Sequence, residues 1–354
     1  MRPFIRQAIG TILAICLATA AQAQTIRFGA ILPLSGADAA IGQEQLRGIQ
    51  FAVDQANAAG GIGGHPVELR FADNQTQPDR SVAIFNTMAA AQGKIPLIFT
   101  AGPGLAALAP LATREKIILL NATKQNDTLS GAAPFLVSTV PTNAQETQVL
   151  AQYLISQGKT RGAILFEDTP AGAAARDDFA KYFPEAGGTI LAQEPTRSGQ
   201  ADYRPALLKL ADARPDVALV FLATGLRAMA QQYKRLGLAF TVAATTPFNE
   251  PETIADPAVE GFVHTHIETN VPLELVADFR EKFGLDMGMP ARLYYSATQV
   301  ILTMAGRLQA EEKPLTGEAM RDMIFAIGND SALRIDVRIV NAGQDSTVGK
   351  QQSN

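Results

Sequence analysis

The chain has 354 residues, with 30 Lys and Arg against 34 Asp and Glu, for a formal net charge of −4. That length suits two domains better than one core, and a composition 47% hydrophobic and 18% charged excludes a disordered chain. With no basic block, the electrostatic footprint of a nucleic-acid binder is also missing.

Residues 1–23 read as a secretory leader. Arg2 and Arg6 form a positive head, residues 8–18 an apolar stretch, and Ala21-Gln22-Ala23 a small-x-small cleavage pattern before Gln24. Removing it takes the formal charge to −6, since Arg2 and Arg6 leave with it. The apolar stretch is shorter than the roughly 20 residues of a membrane span, so export without stable membrane insertion is expected. Cys16, the only cysteine, lies inside the leader behind Ile15, a poor setting for lipidation. The mature chain is then expected to lack disulfides and thiolate metal ligands.

Beyond the leader, strand-like and helix-like segments alternate, which is the pattern of parallel sheets with crossover helices. Residues 25–32 read as a strand and 42–59 as a helix with an apolar stripe through Leu46, Ile49, Val53 and Ala56. Strand 67–72, helix 78–92, strand 95–101, helix 105–115 and strand 117–120 follow. The rhythm restarts around 135–142. Helices are expected over 144–157, 173–183, 203–213 and 226–236, interleaved with strands over 162–166, 189–193, 217–223 and 240–244. A strand over 262–268 precedes a mostly helical stretch over 273–327. The two α/β units are expected to join near Pro141 and Pro272. Helices over 273–283 and 292–308 lack interleaved strands and are expected to return to the first unit. Each unit's strand carboxyl ends would face a crevice.

Phosphate-type and catalytic motifs do not assemble. Gly102-Pro103-Gly104-Leu105-Ala106-Ala107 fits a dinucleotide fingerprint, but Asn121 stands where the ribose-binding acid belongs, which leaves a tight strand-to-helix turn. Gly158-Lys159-Thr160 follows a helix instead of opening one, and Tyr153 replaces the first glycine of a P-loop. Gly60-Gly61-Ile62-Gly63-Gly64 reads as a helix end turning into the next strand. There is no G-x-S-x-G elbow. His264 and His266 share a strand face without a third metal ligand nearby, His65 lies in a turn, and Asp168 is a strand-end acid. No enzyme, cofactor or metal centre is expected; a small-molecule hydrolase is the rival from another class, and a ligand-sensing receptor the rival among binding proteins.

The segment IRFGAILPLSGADAAIGQEQLRGIQFAVDQANAAGGIGGHPVELRFAD resembles the leucine/isoleucine/valine-binding family of type I periplasmic binding proteins. Pro33-Leu34-Ser35-Gly36, Gly42, Gly48, Asn57 and Gly60-Gly61-Ile62-x-Gly64 carry the likeness, and APLATREKIILLNAT, YRPALLKLADARPDVALVF and VEGF extend it. The resemblance implies an α/β fold of two Rossmann-like lobes joined by three hinge crossings. Lobe 1 would take residues 24–140 and 270–328, and lobe 2 residues 141–269 and 329–354. It also implies a small-molecule ligand in the cleft and ABC importer membrane subunits as partners, with the chain itself expected to be a monomer.

The resemblance also implies ligand positions, and several depart from the amino-acid-binding pattern. The family's cleft tyrosine falls on Ile41, and its serine after the third strand near Ala101 or Gly102. An Ala-Thr pair after the fourth strand falls on Lys124-Gln125, or on Ala122-Thr123 if the loop shifts. The second lobe's tyrosine before glycine falls on Ala171, and its ammonium-binding acid around Ala244 and Thr245. Such a cleft suits an apolar or aromatic carboxylate, with Lys124 and the amides of 102–105 at its anionic end. Ser35, Asn121, Thr123, Thr224 and Phe248 join the candidates by their place on strand-end loops.

Overall fold

The structure, a computed structural model, describes residues 25–91, 94–102, 104–123, 133–245, 251–269, 271–327, 335–341 and 344–351. Parallel strands covered on both faces read as nearly continuous apolar runs. Such runs form β1 (Ile26–Leu32), β3 (Leu97–Thr100) and β4 (Ile118–Asn121), all largely buried. With β2 (Val67–Asp73) and β5 (Leu136–Ser138) they make one all-parallel sheet in the order β2-β1-β3-β4-β5.

The second sheet is built from β6 (Arg161–Glu167), β7 (Thr189–Thr196), β8 (Val217–Phe221), β9 (Thr241–Ala244) and β10 (Val263–Ile267), completed by β11 (Ile335–Asn341) and β12 (Gln344–Gln351). Its order is β12-β11-β10-β9-β8-β6-β7. The strands run parallel from β7 to β10, and the final hairpin adds antiparallel to β10. This hairpin is absent from the sequence expectations.

Helices α1 (Ala39–Ala58), α2 (Pro78–Ala90) and α3 (Leu105–Glu115) connect the first strands, as the alternation requires. In the second lobe α4 (Asn143–Ser156), α5 (Pro170–Glu185), α6 (Arg204–Asp212) and α7 (Leu226–Arg235) do the same. A short α8 (Pro251–Ile254) and a 3-10 turn at Pro257–Val259 precede β10, where the sequence suggested no helix. Helices α9 (Leu273–Phe283), α10 (Met289–Ala310) and α11 (Gly317–Ile327) return to the first sheet. Phe279 of α9 meets Phe51 of α1 edge-to-face at 5.5 Å, and Tyr295 of α10 lies 5.6 Å from the same ring. Helices α1 and α10 cross where Gly48 lies under Ala291, whose carbonyl oxygen would stand 2.2 Å from any Cβ at residue 48. Only glycine permits that approach.

The chain therefore crosses between sheets after β5, after β10 and after α11, giving the expected two Rossmann-like lobes. Among the described residues the first lobe buries one cluster; the second buries separate clusters on the two faces of its sheet, around Tyr203, Leu207 and Met229 and around Val149, Phe179 and Phe183. The crossings are anchored by side chains. Thr142 and Gln145 form a reciprocal capping box at the start of α4, with bonds of 3.2 and 3.0 Å. Further on, Ser296 of α10 donates to the carbonyl of Thr269 at 2.9 Å. The Thr265 hydroxyl donates to the buried Glu146 of α4.

Candidate functional site

In open α/β sheets ligands gather beyond the strand carboxyl ends, where the strand order reverses. The first sheet reverses between β1 and β3, and the second between β6 and β8.

At the first switch point the loop after β1 wraps around Asp73, at the end of β2. The amides of Leu34, Ser35 and Gln75 donate to its Oδ1 at 2.9, 3.1 and 2.8 Å, and the Ser35 hydroxyl donates to Oδ2 at 2.5 Å. Burial pushes the Asp73 carboxyl upward, but the Ser35 hydroxyl and these amides outweigh it and hold it below the usual carboxylate range. Ser35 thus spends its proton on Asp73 and can only accept from a ligand. A carboxyl depressed in the folded state stabilises the fold at neutral pH and loses that contribution as pH falls through its folded value. Asp73→Ala should therefore cost about 2 kcal/mol near pH 7. The deficit against wild type in urea melts should shrink below the carboxylate range; a deficit independent of pH would contradict the charged cradle.

The turn between β3 and α3 follows. Ala101 is buried, whereas Gly102 is exposed with φ +80°, a left-handed turn that swings the chain straight into α3. The positive, amino-terminal end of α3 therefore lies at the strand ends. Behind β3 and β4 stands a residue the sequence did not single out, Tyr294 of α10. It is fully buried and donates to the Thr100 carbonyl at 2.7 Å. Burial holds its proton on well above the phenol range, against a smaller pull from the Ala122 amide and the Thr123 side chain. One hydroxyl so ties the ends of two neighbouring strands. Asn121 and Thr123 bond to each other: Asn121 Nδ2 donates to the Thr123 carbonyl at 2.7 Å, and Thr123 Oγ1 to Asn121 Oδ1 at 2.6 Å. Lys124 and Gln125 lie outside the described residues, as does Phe248. Ile41 sits in the first turn of α1, 49% exposed.

At the second switch point the expected strand-end acid, Asp168, is exposed, and its neighbour Glu167 is buried instead, 1% exposed. Glu167 Oε1 accepts from the Thr224 amide at 3.2 Å and from its hydroxyl at 3.4 Å. The Tyr203 hydroxyl donates to the Thr224 carbonyl at 3.4 Å, and burial, then the Glu167 charge, raise that phenol above its ordinary range. Helix α5 starts three residues earlier than its apolar pattern suggests, because Pro170 occupies its first turn and Thr169 caps it through the Gly172 amide. Ala171 is therefore an exposed residue of that first turn. Ala244 and Thr245 are buried at the end of β9.

The strand ends thus gather Ser35, Ala101, Gly102, Asn121 and Thr123 in one lobe, and Ala171 and Thr224 in the other. Cavities of about 550 and 380 Å³ occur at the opposite end of the first lobe, beside Leu308 and beside His65. Among the described residues no three His, Cys, Asp or Glu side chains gather as metal ligands; His264 is buried with Nδ1 3.1 Å from the Thr265 carbonyl. Among those residues too, no helix is long and apolar enough to cross a membrane.

The family model for periplasmic binding proteins matches residues 25–342. The chain is 26% identical over 320 residues to Leu/Ile/Val-binding protein homolog 2 of Brucella abortus, spanning 84% of this chain and 82% of that one. Its fold is similar to an ABC transporter substrate-binding protein from Sphaerobacter thermophilus, with a TM-score of 0.79 and 21% identity over 93% of this chain and 98% of that one. It is also similar to a solute-binding protein of an ABC transporter from Rhodopseudomonas palustris in complex with 3,4-dihydroxybenzoic acid. There the TM-score is 0.71 and the identity 20%, over 93% of this chain and 96% of that one.

Proposed function

Because the chain belongs to the periplasmic binding protein family, we propose that it captures a small organic carboxylate between its two lobes and presents it to an ABC-type importer of the branched-chain amino acid class. The match along nearly the whole chain past the leader carries this reading. The relative named for Leu, Ile and Val and the neighbour crystallised with 3,4-dihydroxybenzoic acid point to solutes that share a carboxylate. The amino end of α3 beside Gly102 supplies the positive pole such a group needs. The leader-like pattern of residues 1–23 supports work in the periplasm after cleavage. Capture proceeds by hinge closure, in which solute contacts from both lobes favour the closed state.

Native mass spectrometry of the purified protein tests capture directly: a carried-over acid of a few hundred daltons or less is expected, and it should leave on unfolding. Lys124, the basic residue that the sequence sets after β4, is proposed to hold the carboxylate. Lys124→Met should weaken that acid at least tenfold, about 1.4 kcal/mol, in calorimetric titration. Unchanged affinity would remove Lys124 from the site.

A further inference from the structure

We propose that the cavity at the amino ends of β1 and β3, at the far end of the first lobe from the cleft, is a second binding site, for a small phosphate-bearing anion. It stands whether or not the cleft captures a carboxylate.

Three observations carry it. The cavity has a volume of about 380 Å³, at the lower end of the range that small-molecule sites occupy. Three basic side chains converge on it from separate segments: Arg27 near the start of β1, His65 in the turn ahead of β2 and Lys94 in the loop ahead of β3. Gln309 adds an amide from the end of α10, Ile26 and Leu315 add apolar surface, and no described Asp or Glu lines the cavity. The stretches outside the described residues that adjoin it in sequence, 1–24 and 92–93, contain no Asp or Glu either, so the positive bias is written in the chain.

The third observation is the donors left over. Arg27 gives Nε to Glu68 at 2.9 Å, and that carboxylate also takes Arg70 at 2.8 Å, so two guanidiniums share one acid. Lys94 is exposed and forms no ion pair among the described residues. His65 Nδ1 is shut off from solvent and, among the same residues, meets no hydrogen-bond partner. The turn that holds its ring is fixed all the same, by backbone bonds between Ile62 and His65 of 2.8 and 2.9 Å. A buried polar atom without a partner costs free energy, and it marks a place for a bound group.

An arginine fork beside a lysine ammonium suits a phosphate, whose several oxygens take planar paired donors and a point charge together. The apolar surface would receive the organic body. A purely structural reading is that cations here offset the negative carboxyl ends of α1, α2 and α10, which finish at this end of the sheet. That accounts for the sign of the charge, but not for a cavity between the cations or for the buried nitrogen.

Inorganic phosphate and glycerol 3-phosphate are titrated calorimetrically into the purified protein in a chloride buffer. Vesicles of phosphatidylglycerol and phosphatidylcholine in equal parts are tested by co-sedimentation. Glycerol 3-phosphate is expected to bind and to raise the melting temperature; vesicle binding in its place would put the same group on a lipid. The double variant Lys94→Met/His65→Phe should weaken whichever form binds at least tenfold, while melting without ligand as wild type does. Lys94→Met alone should weaken it about threefold. Binding that both variants leave unchanged overturns the site and sends the anion elsewhere, the cleft included. Absence of binding in all three arms overturns it as well. A double variant that melts lower without ligand, while Lys94→Met binds as wild type does, makes the cations braces for helix ends and overturns it too.

Discussion

Saturation with the captured solute should shrink the radius of gyration in small-angle scattering and raise the melting temperature. A solute held by both lobes binds only the folded, closed form, so mass action adds about 2.7 kcal/mol at a hundredfold excess over its dissociation constant. The lobes can turn as bodies because each has its own core and the connections between them are short. The connections after β5 and after β10 are each held by a side-chain anchor, the capping box at Thr142 and the Ser296 bond to Thr269, so bending is expected beside those anchors. An unchanged radius at proven saturation would show that capture happens without closure.

Two glycines of the first lobe should answer substitution in opposite ways. Gly48→Leu places a branched side chain where even a Cβ would stand 2.2 Å from the Ala291 carbonyl oxygen. Helices α1 and α10 would have to part, and with them the Phe51, Phe279 and Tyr295 contacts, at a cost of about 3 kcal/mol. Gly306→Ala, on the same α10, meets nothing closer than Ile62 Cγ2 at 4.0 Å. There the gain in helix propensity should stabilise by about 0.5–1 kcal/mol. Urea melts of both variants decide the matter; a tolerated Gly48→Leu would mean that the crossing is looser than the structure shows.

The order of elements was legible because β1, β3, β4, β6 and β8 are short apolar runs between amphipathic helices, and that contrast survives without any tertiary information. The final hairpin was not. The sequence of β12, QDSTVGKQ, is an edge strand of mostly polar residues, and nothing local marks it as part of a sheet. Strand carboxyl ends could be located from strand positions, so the placing of Ser35, Asn121 and Thr224 at those ends was within reach, while their contact with a solute is a proposal. Tyr294 was not, because its partner Thr100 is 194 residues away and the pairing exists only once α10 has returned. Of the neighbouring acids Glu167 and Asp168, the sequence pointed to the second, yet the strand runs on to include the first, which buries Glu167 and turns Asp168 outward.

The threading of the chain through both lobes has a consequence for biogenesis. A chain that emerges amino end first cannot finish its first lobe until α9 and α10 arrive, since Phe51 waits for Phe279 and Thr100 for Tyr294. Nor can it finish the second until the last two strands cover β10. Folding one lobe to completion while the next is still emerging is thus closed to this protein. Until residues past 335 have emerged, β10 offers a bare backbone rim that a second nascent copy could pair with.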